Sequence, residues 1–162
     1  MNRLIFEVFV ENPRHATEKI HHDEERLVPL FCEPVSWPYP YAYGFVIGVA
    51  SGDGDCLDVF VVSKDEIPTG TRLECVAVAL LEQWQNDDED HDVIAVPVAE
   101  LSDVDRLDLV EVAAGIREHM EKVFAHDPSR TLRVGRLLPA ASAEELISEG
   151  RVADSAGSEP DA

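Results

Sequence analysis

Apolar residues fall along this chain in short runs separated by proline, glycine and aspartate, the rhythm of a β-rich protein. Residues 4–11 (LIFEVFVE) predict a first strand, closed by Asn12-Pro13 because proline has no N–H to offer the ladder. The stretch that follows is polar as far as Glu25. Further strand candidates come at 26–31, 43–49, 57–62, 71–81 and 92–98, rich in valine, isoleucine and phenylalanine. Residues 36–45 (SWPYPYAYGF) interleave prolines with aromatics and predict a rigid extended loop. From 103 to 125, Leu107, Val110, Val112, Ile116, His119, Met120 and Val123 recur at mostly helical spacing, which predicts one amphipathic helix stopped by Asp127-Pro128. Residues 131–138 read as another strand, and Ser142 with Glu145 has the form of a capping box opening a short final helix over 142–149. The small, polar residues 153–162 predict a disordered tail. The expected fold is α+β and mainly β: an antiparallel or mixed barrel with one long and one short helix, in a single domain over residues 1–152.

Charge narrows the chemistry. The 162 residues carry a formal net charge of -20, which argues against phosphate-neutralising contact with nucleic acid and against anionic membrane surfaces. The natural ligands are expected to be cations, or anions that arrive with cations. Lysine is scarce (Lys19, Lys64 and Lys122), a composition that suits high salt as well as plain solubility. Cys32, Cys56 and Cys75 stand far apart, suggesting neither a disulfide framework nor a zinc site, and buried free thiols are expected. No apolar run approaches the roughly 18 residues of a membrane span, and the N-terminal apolar stretch is too short for a signal peptide, so a cytoplasmic protein is expected.

Two acidic runs invite a chemical reading. Residues 52–62 (GDGDCLDVFVV) set Asp53, Asp55 and Asp58 at the mouth of an apolar strand, where mutual repulsion calls for a compensating cation or proton. A calcium loop fails on detail, because Leu57 occupies a ligand position and a strand follows at once. Convergent carboxylates beside a strand suit Mg²⁺, which prefers oxygen ligands and keeps several waters. Residues 83–97 (QWQNDDEDHDVIAVP) place a second acidic mouth before a strand, and Glu11 ends the first strand as a further candidate ligand. Metals between such groups would lower the proton affinity of water, with a remaining aspartate to accept the proton. A phosphoanhydride is the natural substrate of such a site.

These residues resemble the soluble family I inorganic pyrophosphatases. The family's D-G-D-P-[LV]-D-V is similar to residues 53–59, its [IV]-E-x-P to residues 10–13, its F-Y-P-x-x-Y-G-[FY]-[IV] to residues 38–46, and its G-E-D-x-K-[IL]-x-A-V-P to residues 88–97. The resemblance implies a five-stranded, OB-like closed barrel flanked by helices and Mg²⁺-dependent hydrolysis of pyrophosphate, with Mn²⁺ as a possible alternative. It implies Asp53, Asp58 and Asp90 as ligands of the activating metals, Asp55 as the base near the attacking water, and Glu11 as a ligand for substrate-borne metal. Lys19 and Tyr43 resemble phosphate-contacting residues, and a homo-oligomer, a hexamer in prokaryotes, is implied as well.

The chain departs from that pattern mostly where the family has cations. Phe31 stands for an arginine, Asp92 for the lysine of G-E-D-x-K, and Val123-Phe124 for Y-K. Gln85 replaces a metal-ligating aspartate and His21 a glutamate. Asp87 or Asp88 is a candidate substitute for the lost ligand, and Arg133 or Arg136 for a lost lysine. Two alternatives therefore stand beside the pyrophosphatase reading: a catalytically weak metal-binding relative serving as subunit or regulator, and a hydrolase of another phosphoanhydride such as a nucleotide, with Phe31 and Phe124 lining its pocket.

Overall fold

A computed structural model describes residues 3–158, with side chains through Arg151. The strands are β1 (Ile5–Asn12), β2 (Glu18–His22), β3 (Pro29–Pro34), β4 (Ala42–Ala50), β5 (Cys56–Val61), β6 (Arg72–Gln85), β7 (Asp88–Glu89), β8 (Asp92–Pro97) and β9 (Leu132–Pro139). A 3₁₀ segment covers Val98–Arg106, and two helices follow, α1 (Leu109–Lys122) and α2 (Ala140–Ser158). Among the described residues no helix is long and apolar enough to cross a membrane.

Five strands close on themselves in the order β1-β4-β5-β8-β6, with β6 returning to pair with β1. All these pairings are antiparallel except β5–β8. The expected barrel is present, and it is of the mixed kind. β6 makes the closure possible: its first residues pair with β1, its middle with β8 and its last with β9. Register shifts at 77–79 and 81–83 mark the irregularities that bend a strand serving four neighbours, β7 being the fourth. β1 and β4 approach so closely that a Cβ on Gly44 would stand 1.9 Å from the carbonyl oxygen of Phe9, which reserves that position for glycine.

Both faces of β5, β6 and β8 are covered, which is why they read as nearly continuous apolar runs. One face supplies Val59, Val61, Ala77, Val93 and Ala95 to a core completed by Ala143 and Ile147 of α2. The other supplies Phe60, Val76, Val78, Ile94 and Val96 to a core completed by Val112, Ile116 and Met120 of α1. Alternate residues of one strand thus belong to different cores.

Several boundaries differ from expectation. The polar stretch before Glu25 contains β2, which pairs with β3 as a separate two-stranded arm. β3 itself begins at Pro29 rather than at residue 26, with prolines at both ends where no ladder N–H is needed. The single helix expected over 103–125 is interrupted. Its first part belongs to the 3₁₀ segment, and Asp108 starts α1 afresh by accepting the Glu111 backbone N–H on its side chain at 3.1 Å. α2 starts at Ala140, directly after Pro139, so Ser142 lies inside the helix and does not cap it. The tail expected over 153–162 falls where only the α2 backbone is followed, to Ser158, and residues 159–162 lie outside the described residues. Of the thiols, only Cys75 is buried; Cys56 is half-buried and Cys32 exposed, on the β2–β3 arm.

Candidate active site

The acidic residues singled out in the sequence come from separate elements and line one cavity of about 600 Å³. Glu11 stands at the end of β1, Asp53 and Asp55 in the β4–β5 turn, Asp58 within β5, and Asp90 between β7 and β8. Lys19 of β2 and Tyr43 of β4 line the same cavity. All seven candidates are therefore brought together. Asp87, in the β6–β7 turn, and Asp88, in β7, are exposed and do not line the cavity, whereas Gln85 does.

Local structure fixes each carboxylate. Gly54 adopts a φ of 91°, a left-handed conformation that lets the turn place aspartates on either side. Asp53 accepts the Asp55 backbone N–H at 3.0 Å, an Asx-type bond that shapes the turn. Glu24 accepts the Cys56 N–H at 3.0 Å and so ties the β2–β3 connection to the strand mouth. Gln83 holds Asp90 from both ends: its carbonyl accepts the Asp90 N–H at 2.9 Å and its side-chain amide donates to Asp90 at 3.1 Å. Glu11 accepts the His22 backbone N–H at 3.1 Å.

The electrostatics are those of carboxylates pressed together. Burial pushes Glu11 up to about 7, with Glu24 and Asp55 adding to the rise and Lys19 opposing it. Burial also raises Asp58 and Asp92 well above the carboxylate range, and the neighbouring Asp90 raises both further. Asp53 is raised by desolvation and by Asp90. Lys19 forms no ion pair with any carboxylate among the described residues. Groups with this charge density suit a divalent cation, whose binding favours their ionised forms. The same residues do not close on a point, since no three His, Cys, Asp or Glu side chains among the described residues are gathered tightly enough to hold an ion as they stand. They line an open wall, a geometry suited to a cation that keeps part of its water shell.

The cavity also carries cations, and one of them is not obvious from sequence. Arg130, in the loop after α1, lines the cavity with its guanidinium 4.1 Å from the Phe124 ring centroid and 3.0 Å from a Glu33 oxygen. Lys19 approaches the same ring at 5.7 Å. Phe124 thus organises two cations by cation–π contact. Glu33 joins His21 at 2.6 Å, and His21 stacks on Phe31 with centroids 4.3 Å apart, so the β2–β3 arm and Arg130 form one network. The two arginines proposed from sequence are engaged elsewhere. Arg136 is bound to Glu82 by two side-chain bonds of 3.0 and 2.9 Å, and Arg133 lies 4.0 Å over Trp84. The Asp127-Pro128 turn reads in sequence only as a helix stop, and no motif spacing points to Arg130.

Comparison with known proteins agrees with this geometry. The inorganic pyrophosphatase family profile matches residues 8–153. The inorganic pyrophosphatase of Aeropyrum pernix is 30% identical over 151 residues, covering 88% of this chain and 86% of that one. That of Halalkalibacterium halodurans is 28% identical over 155 residues, covering 90% and 92%. The solved structure of the Helicobacter pylori inorganic pyrophosphatase shares the fold at a TM-score of 0.83 and 20% identity, covering 95% of this chain and 98% of that one. A family profile spanning nearly the whole chain, on a barrel that gathers the acidic residues into one cavity, leads to one conclusion: the chain belongs to the inorganic pyrophosphatase family.

Proposed function

We propose that residues 1–152 form one domain that hydrolyses inorganic pyrophosphate to two phosphates with divalent metal, Mg²⁺ by preference and Mn²⁺ as an alternative. The family works with divalent metal. The observation that carries the reading is the convergence of Glu11, Asp53, Asp55, Asp58 and Asp90 on one cavity that also holds Lys19, Arg130 and Tyr43. Asp53, Asp58 and Asp90 would hold the activating metal, and Glu11 metal that arrives with the substrate. When bound, the metal lowers the pKa of water and neutralises phosphate charge.

The remaining steps belong to the protein. Asp55 faces the cavity on a turn fixed by the Asp53 bond, free to accept the proton of the attacking water. A new P–O bond forms to that water oxygen as the bridging P–O bond breaks, and the second phosphate leaves. Lys19 and Arg130 hold phosphate oxygens. Tyr43 keeps its proton, because burial and then Asp58 raise its pKa well above the usual value, so its hydroxyl acts as a hydrogen-bond donor. A charge-assisted hydrogen bond contributes about 1.5–3 kcal/mol, so Arg130→Ala is expected to raise KM for pyrophosphate roughly 10- to 100-fold with the fold intact. An unchanged KM would remove Arg130 from the substrate site.

A second reading has its own observation. Leu30 and Phe31 on the cavity wall are 60% and 57% exposed, an apolar surface able to meet an organic group. A nucleoside triphosphate would use it where pyrophosphate would not. Phosphate release from each substrate at saturating Mg²⁺ separates the two: pyrophosphate turnover well above nucleotide turnover supports the proposal, and the reverse order overturns it. The chain is further proposed to act in the cytoplasm as a homo-oligomer, on the family resemblance a hexamer, to be checked by light scattering.

A further inference from the structure

Asp92, the register partner of the cavity-lining Asp58, is a carboxylate that the proposed chemistry leaves unused, and its surroundings are unusual. Its relative exposure is 0%, and neither Oδ1 nor Oδ2 has a hydrogen-bond partner among the described residues. An ionised carboxylate in that state is costly to bury unless a cation meets it. In the parallel β5–β8 pairing Asp92 lies directly opposite Asp58, so the two side chains leave the sheet on the same face. That is the face of Phe60 and Ile94, against which Tyr43 packs at the cavity. Asp90 and Asp53 are close enough to act on Asp92 electrostatically, and Lys19 is the cation that acts on it, at a distance beyond ion pairing and shared with Asp58 and Glu11.

We propose that Asp92 is a further metal-ligating residue, completing with Asp58 and Asp90 the carboxylate set that holds the divalent cation at the inner end of the cavity. The unpartnered oxygens, the shared sheet face and the neighbouring aspartates then have one explanation. Asp92 supplies from β8 the negative charge that Gln85, which lines the cavity, does not. The proposal rests on the metal-dependent reading of the cavity. Its test uses metal ions without substrate, so metal binding through Asp92 in a chain that hydrolyses nothing would overturn that reading and leave this one standing.

The test compares the full native chain with Asp92→Asn and, as a second neutral variant, Asp92→Ala, after circular dichroism has confirmed the fold. Mg²⁺ and Mn²⁺ are titrated into metal-free protein by calorimetry, and thermal midpoints are recorded with and without metal. The expected result is an affinity at least about tenfold weaker in the variants. With it comes a higher metal-free midpoint, because a buried unpaired carboxylate has been removed. A merely structural role would not produce both changes. Native affinity for both ions in either folded variant would overturn the assignment.

Discussion

Replacing Asp55 by asparagine is expected to lower kcat for pyrophosphate hydrolysis by about 10²- to 10⁴-fold, the usual contribution of a positioned proton acceptor. Asparagine keeps the size and the hydrogen-bonding capacity of the side chain, and the turn is held by the Asp55 backbone N–H on Asp53 rather than by the Asp55 side chain. The loss should therefore fall on the chemical step. KM and Mg²⁺ affinity should stay near native values, because the ligands are assigned to other residues. Steady-state kinetics with a parallel metal titration separates these quantities. A kcat within tenfold of native would assign the proton to another group.

Asp58→Ala should abolish Mg²⁺-dependent stabilisation. Ion binding to the native state alone, at about 100 times Kd, contributes roughly 2.7 kcal/mol, which in a chain of this size moves the thermal midpoint by about 5–10 °C. The variant should show almost no shift, although its metal-free form should be the more stable of the two because Asp90 and Asp92 lose a like-charged neighbour. A native-sized Mg²⁺ shift in Asp58→Ala would refute the ligand.

The same crowding fixes a pH dependence. Glu11, raised from 4.5 to about 7, holds a proton in the folded state that it releases in the unfolded one, and Asp58 and Asp92 shift in the same direction. This stability is complete below the unfolded values and is lost as pH rises through the folded ones. Without metal, the midpoint should therefore rise as pH falls from 8 to 6.5. Below 6.5 the sign is contested, because burial lowers His21 and His22 and holds His119 near 4, so charging them opposes folding. A metal-free midpoint that falls between pH 8 and 6.5 would contradict the crowding of these carboxylates.

Much of this protein is legible in its residues, and the exceptions have physical causes. β5, β6 and β8 could be read because burial on both faces makes their apolar runs nearly continuous. β2 could not, since among the described residues EKIHH pairs with β3 alone and stays largely half-exposed, leaving no apolar alternation to detect. The break between the 3₁₀ segment and α1 was hidden because Leu101, Val104 and Leu107 continue the apolar stripe across it, while Asp108 carried the cap signal. At the site, six of the seven candidates that meet in the cavity were legible because they fall within the four family motifs, and only Lys19 lies outside them. Arg130 was not: it reaches the cavity because the turn after α1 folds back over Phe124, a tertiary fact with no local spacing. Asp92 read in sequence as a missing lysine. In the fold it is a fully buried carboxylate opposite Asp58.

The central claim is that this acidic cavity becomes a pyrophosphate-hydrolysing site when divalent metal compensates its carboxylates. The most direct measurement is phosphate release from pyrophosphate by the purified chain as free Mg²⁺ is raised from chelator-buffered trace levels to the millimolar range. The account predicts background release at trace metal and a saturable rise as Mg²⁺ increases. A rate that stays at background across the whole range would contradict it.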